Sequence, residues 1–154
     1  MYLVSVFLLM FVLPTASVGI EHYASAAPLV PLIGKWFVFW GVGVRLMLAG
    51  TRQVLQPEFT AHQIFDLKGS EALPLVRELG VANFASGVVG VASLWMPGFV
   101  LPAAISAAIF YGVAGVRHVA APHRSRNEAV AMVSDLFISV VLVVYILCIL
   151  IWPV

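Results

Sequence analysis

Charged residues are confined to a few short stretches of this chain, and that confinement constrains its fold more than any motif. Six of the eight Lys/Arg and five of the seven Asp/Glu fall between Arg52 and Glu128, and long apolar runs elsewhere carry none. Charged residues make up 10% of the 154 positions and hydrophobic ones 62%, where a soluble domain carries about 25% charged residues. An apolar run of about 20 residues, at 1.5 Å rise per residue, matches the hydrocarbon thickness of a bilayer. The chain is therefore read as an all-α integral membrane protein, a single membrane domain over 1–154 with five transmembrane helices.

Residues 1–20 form the first run. Ala24-Ser25-Ala26 resembles a signal-peptide cleavage site, but no positive residue precedes the apolar core as such a peptide requires. The segment is read as helix one, kinked at Pro14. A loop at 21–31 with Pro28 and Pro31 as breakers leads to helix two, 32–53. Trp36 and Trp40 near its start read as interfacial anchors. Gly41, Gly43 and Gly50 allow a close neighbour. In the polar connector 54–70, Thr60 followed by Gln63 has the capping-box spacing and predicts a short amphipathic helix at 61–66 on the membrane surface. Ser70 reads as the N-cap of helix three, 71–95, with Pro74 still early enough to be tolerated. Ala82, Ser86 and Gly90 recur every four residues as a smooth packing face, and Ala104, Ala108 and Gly112 repeat the device in helix four, 99–119. Met96-Pro97-Gly98 turns the chain between them. Helix five covers 128–152, and the last four helices are expected to form a compact bundle.

Orientation follows from Lys and Arg. Arg52, Lys68, Arg77, Arg117, Arg124 and Arg126 lie in or beside loops 54–70 and 120–127, whereas the opposite side offers only Lys35. The positive-inside rule places those two loops and the N-terminus in the cytoplasm and the C-terminus outside. Arg124 and Arg126 read first as topology determinants meeting anionic lipid.

Depth can then be assigned. Arg45 stands seven residues above Arg52 in helix two, about 10 Å higher and on the same face. Asp135 stands seven residues above Glu128 in helix five, at the depth of Arg45. Helix three brings Glu78 and Asn83 into the same half, and helix four brings Tyr111 and His118. An ionised side chain within the bilayer costs at least about 2.5–3.5 kcal/mol, so such groups turn inward and find partners. Arg45 and Asp135 are expected to pair, directly or through water, above a second tier of Arg52, Glu78 and Glu128. A structural clasp fixing helix register competes with a pocket for a polar-headed ligand, and with a proton relay.

Several chemistries are excluded. The net charge of +1 gives no case for nucleic acid. The lone Cys148 rules out an internal disulfide and Cys-x-x-Cys chemistry. His22, His62 and His123 all fall in loops, so the axial pair of a b-type haem is missing, and neither an HExxH, a GxSxG nor a P-loop occurs. No catalytic residue or metal site is assigned. No cofactor is fixed either; a bound quinone or lipid is the candidate ligand.

Gly43, Gly50, Arg52-Gln53 and Pro57, followed by Glu78, Gly80, Gly87 and Gly90, resemble the spaced glycines and charged positions of the DoxX-like family of small bacterial four-helix membrane proteins. The resemblance covers about residues 36–150 and leaves helix one as an N-terminal addition. It departs at Arg52-Gln53, where the family commonly has a lysine. It implies a multi-pass protein of the bacterial inner membrane, linked in some relatives to quinone-dependent redox assemblies. Two functions follow as expectations. One is a non-catalytic subunit or quinone- or lipid-binding component working with a membrane partner or a second copy of itself. The other is an enzyme on a quinone or lipid head group, with Arg45 and Arg52 binding and Glu78, His118 or Asp135 moving protons.

Overall fold

The computed structural model describes residues 2–64, 67, 69–120 and 125–151. Every regular element among them is helical. Five helices are long and apolar enough to cross a membrane: α1 (Tyr2–Ser25), α2 (Leu29–Leu55), α3 (Leu73–Ala92), α4 (Pro97–Ala120) and α5 (Arg126–Ile151). This is an all-α, multi-pass membrane fold. Large apolar side chains such as Val81, Ile109, Val113, Val140 and Leu147 cover its outside, as a lipid-facing surface requires.

Local chemistry sets the helix ends. α1 stops where Ala26 takes a left-handed conformation (φ 52°) and its N–H bonds the His22 carbonyl, a termination more often made by glycine. Pro28 is the N-cap of α2, so Pro31 falls in its first turn, where a missing N–H costs nothing. Helix two therefore starts at Leu29, earlier than the proline spacing suggests. α5 begins at Arg126, capped by the Ser125 hydroxyl, which accepts from the Glu128 N–H at 3.1 Å. Ser70 does not cap α3: the helix starts at Leu73 behind Ala72, with no side-chain cap. Thr60 and Gln63 do not form a capping box either. Both lie inside a single wide, π-type turn, Phe59–Ile64, whose Thr60, Ala61 and Ile64 are buried. Residues 65–66 of the expected connector helix, Lys68, and His123 and Arg124 of loop four lie outside the described residues, as does Trp152 at the end of helix five.

The tightest packing joins α2 to α3 and α4 to α5, as two antiparallel pairs. Glycines weld the first. A Cβ on Gly43 would stand 2.6 Å from the Val91 backbone nitrogen, and one on Gly87 would stand 2.5 Å from the Met47 nitrogen; Gly50 and Gly80 press together two turns further along. The face of α3 that does this is Val76, Gly80, Asn83, Gly87 and Gly90. Ala82 and Ser86 instead point outward, because spacings of three and four alternate around a 3.6-residue helix and a strict four-residue repeat drifts off the face. In the second pair, Ser139 donates to the Ala108 carbonyl at 2.9 Å, and Gly112 and Gly115 admit Ser139 and Leu136. α1 packs into the same core as the last four helices: Val6 and Met10 are buried with Val38, Ile138 and Leu142.

α1 and α2 each contain a π-type stretch, Leu8–Val12 and Phe37–Val44. The first ends just before Pro14, whose ring would meet a carbonyl four residues back in a regular helix. In the second, the Arg45 N–H reaches the Trp40 carbonyl, one residue beyond its α-helical acceptor, Gly41. The Gly41 carbonyl so passed over accepts a hydrogen bond from the Tyr111 hydroxyl at 2.8 Å. Tyr111→Phe removes that buried hydrogen bond, and the expected loss is about 0.5–1.5 kcal/mol in a denaturation titration of the detergent-solubilised protein. A wild-type midpoint for the variant would show that the wide turn satisfies itself.

Candidate functional site

Between the two helix pairs lies a cavity of about 1350 Å³, lined from all five long helices and from the Phe59–Ile64 turn. The chain builds it because α3 is held by α2, α4 is held by α5, and α3 touches α4 along little beyond the Met96–Phe99 turn. Leu75, Leu79, Ile109 and Val113 border it, so its walls are mostly apolar, and Leu75, Ile109 and Val113 are also exposed on the outer surface of α3 and α4. The polar groups gather at the end of the cavity where α1 starts and α2 finishes.

Seven of the eight expected residues reach this cavity: Arg45, Arg52, Asn83, Tyr111, His118, Glu128 and Asp135. Glu78 does not. It is exposed on the outer side of α3, beside the exposed Arg77. Two residues from Gly80, which packs on Gly50, it is turned about 200° away from the buried face at 3.6 residues per turn.

Arg45 and Asp135 face the same space but make no direct ion pair; among the described residues only Lys35–Glu21 and His118–Glu128 are in such contact. The two remain within electrostatic reach, and Asp135 also feels His118. Arg45 Nε is fully buried with no hydrogen-bond partner, and its guanidinium lies 5.8 Å from the centre of the Tyr2 ring. Asp135 is only 8% exposed. Arg52 stacks on the ring of Phe59, with Cζ 3.4 Å from the ring centre. An arginine held flat on an aromatic face keeps its edge donors available, and the contact contributes about 0.5–2 kcal/mol.

Two further pairs complete the wall. His118 Nδ1 is 3.0 Å from Glu128 Oε1, and both residues are buried. Asn83 donates to Gln53 Oε1 at 2.8 Å, also buried. The cavity thus holds three arginines (Arg45, Arg52 and Arg117), one carboxylate without an ion pair and one His–carboxylate pair. Tyr2, Gln53 and Phe59 belong to the site but were not among the expected residues, and none of them carries a charge within an apolar run. Tyr2 reaches it only because α1 packs inside the core. The cover made by Phe59 is fastened at its far end, where the Ser125 hydroxyl donates to the Gln63 carbonyl at 3.1 Å.

A family model, DUF6790, a family of unknown function, matches residues 1–154. The chain therefore belongs to that family. No curated protein and no solved structure matches it.

Proposed function

For this DUF6790 protein we propose the binding of a lipophilic ligand with a polar head, a quinone or a lipid, as an accessory component of a larger membrane assembly. The observation that carries it is one cavity in which apolar walls from α3 and α4, with Ile109 and Val113 also exposed on the outer surface, meet a polar end with Arg45, Arg52 and Asp135. Drug-sized ligands occupy pockets of about 300–1,000 Å³, so this volume suits a head group with an alkyl tail. Without a direct ion pair between them, Arg45 and Asp135 both face the cavity, where a polar head can meet them.

The same reading takes the polar end as cytoplasmic, by the positive-inside rule. It takes the DoxX-like resemblance as a reason to look for a redox or transport partner in a bacterial inner membrane. A second reading, catalysis on the ligand's head group, draws on one observation: the His118–Glu128 pair stands in the cavity beside Asp135. Such a constellation has the parts for moving a proton.

The test is gentle purification from native membranes followed by mass spectrometry of the intact particle. A stoichiometric quinone or lipid that survives delipidating washes is the expected result. A particle with no retained lipophile would overturn ligand binding. Where a ligand is found, Asp135→Asn separates the readings: unchanged chemistry of the bound molecule speaks for an accessory role, and loss of turnover in a folded protein speaks for an enzyme.

A further inference from the structure

Building on ligand binding at this cavity, we infer that the ligand is an anionic amphiphile, carrying a carboxylate or phosphate head. Its head sits between Arg45 and Asp135, and its tail leaves the protein between α3 and α4.

Charge comes first. Arg45 and Arg52 share the cavity wall with Asp135, the one carboxylate there without an ion pair, since Glu128 is engaged by His118; Arg117, also on the wall, is exposed. A cation in a low-dielectric wall is costly without a counter-charge, and neither Arg45 nor Arg52 has a carboxylate in ion-pair contact among the described residues. Arg45 Nε is buried with its proton unpaired. The guanidinium fork matches a carboxylate or phosphate, two oxygens at a time. A neutral quinone carbonyl would satisfy one donor and leave the excess charge uncompensated.

Asp135 refines the head. A carboxylate facing Arg45 across the same space repels a bare anion unless the head also offers a donor there. A hydroxyl, an ammonium or the proton of a half-neutralised phosphate supplies one. The head that fits is therefore an anion with an adjacent donor, such as a lysophosphatidate or a 2-hydroxy fatty acid.

The tail is placed by the walls. Leu79 on α3 and Ile109, Val113 and Ala114 on α4 line the way out from the polar end. Ile109 and Val113 also reach the outer surface, at 63% and 58% exposure. The path runs from Asp135 past these apolar side chains into the lipid, so a chain can extend without leaving an apolar medium.

The test is a binding measurement on the full-length protein in neutral detergent, with delipidation monitored by mass spectrometry. Oleoyl lysophosphatidate, oleate, oleyl alcohol, a decyl-chain quinone and inorganic phosphate compete against a fluorescent fatty acid. The expected order puts lysophosphatidate, an anion whose head carries an adjacent hydroxyl, at least tenfold ahead of the alcohol and the quinone, with oleate between them and no competition from inorganic phosphate. Arg45→Gln should remove that tenfold preference. Ala114→Phe, which narrows the way between α3 and α4, should weaken oleate binding tenfold and leave octanoate within twofold.

Equal affinity for lysophosphatidate and oleyl alcohol, or for the quinone, overturns the anionic head while leaving lipophile binding intact. Competition by inorganic phosphate as strong as by oleate overturns the tail. Failure of every lipophile to bind a folded protein overturns this inference and the proposed function together. Arg45→Lys distinguishes folding from recognition: it keeps the charge but loses the fork, and a melting midpoint like that of the wild type with a reduced preference for the anion supports the placement.

Discussion

Gly90→Ala is expected to lower the stability of the protein by about 1–3 kcal/mol or more, the cost of forcing atoms into a filled contact. The new Cβ would lie 2.7 Å from both the Cα and the nitrogen of Gly43, with the Val38 carbonyl at 3.3 Å. These are backbone atoms, so no side-chain rotation relieves the overlap and α3 must move off α2. Gly43→Ala should do the same, meeting the Val91 nitrogen at 2.6 Å. Gly19→Ala is the matched control: nothing lies within 4 Å of its Cβ position, and alanine is the better helix former by about 1 kcal/mol. Chemical denaturation in mild detergent measures all three. If Gly90→Ala unfolded at the wild-type midpoint, the close α2–α3 contact would be wrong.

The second large effect concerns His118 and Glu128. Their side chains meet at 3.0 Å with less than a tenth of either exposed. His118→Leu leaves Glu128 as a buried carboxylate that has lost this partner, and removal of one member of such a pair costs about 3–5 kcal/mol. Glu128→Leu costs less, since a histidine can shed its charge. The double replacement is expected to recover more than half of the His118→Leu loss, because two apolar side chains of similar volume need no partner. A double-mutant cycle gives the coupling directly. Additive losses would mean that the two residues act independently, and the proton-moving reading of the cavity would lose its best-placed pair.

The membrane fold and most of the site were legible in the sequence for the same reason. Arg45, Asp135 and His118 stand in otherwise apolar runs, where charge is too costly to leave facing lipid, and counting residues from the helix ends puts them at matching depths. Depth is only one of two coordinates. Glu78 has the depth of the cluster but the wrong azimuth, and only the glycine face of α3 reveals it. Azimuth in α2 was harder still: each wide turn between Phe37 and Val44 takes in an extra residue, so faces counted at 3.6 residues per turn fall out of step across it. Tyr2 was missed because helix one reads as an addition when judged by apolar content alone. Its packing against α2 and α5 depends on long-range contacts, and these leave no local pattern.

The sparse contact between α3 and α4 has a mechanical meaning. Each helix pair is stiff: glycine-on-glycine backbone contact holds one, and small residues with an inter-helix hydrogen bond hold the other. α2 is buried against α4 and α5, with Val38, Val42 and Leu46 in one core with Ala104, Ala108 and Ile138, so the loosely joined seam is that of α3 against α4, and sparsely packed regions open at the lowest free-energy cost. Thermal motion of the bundle is therefore expected to concentrate in a parting of α3 from α4 about the Met96–Phe99 turn, on the side of the cavity bordered by Leu79, Ile109 and Val113.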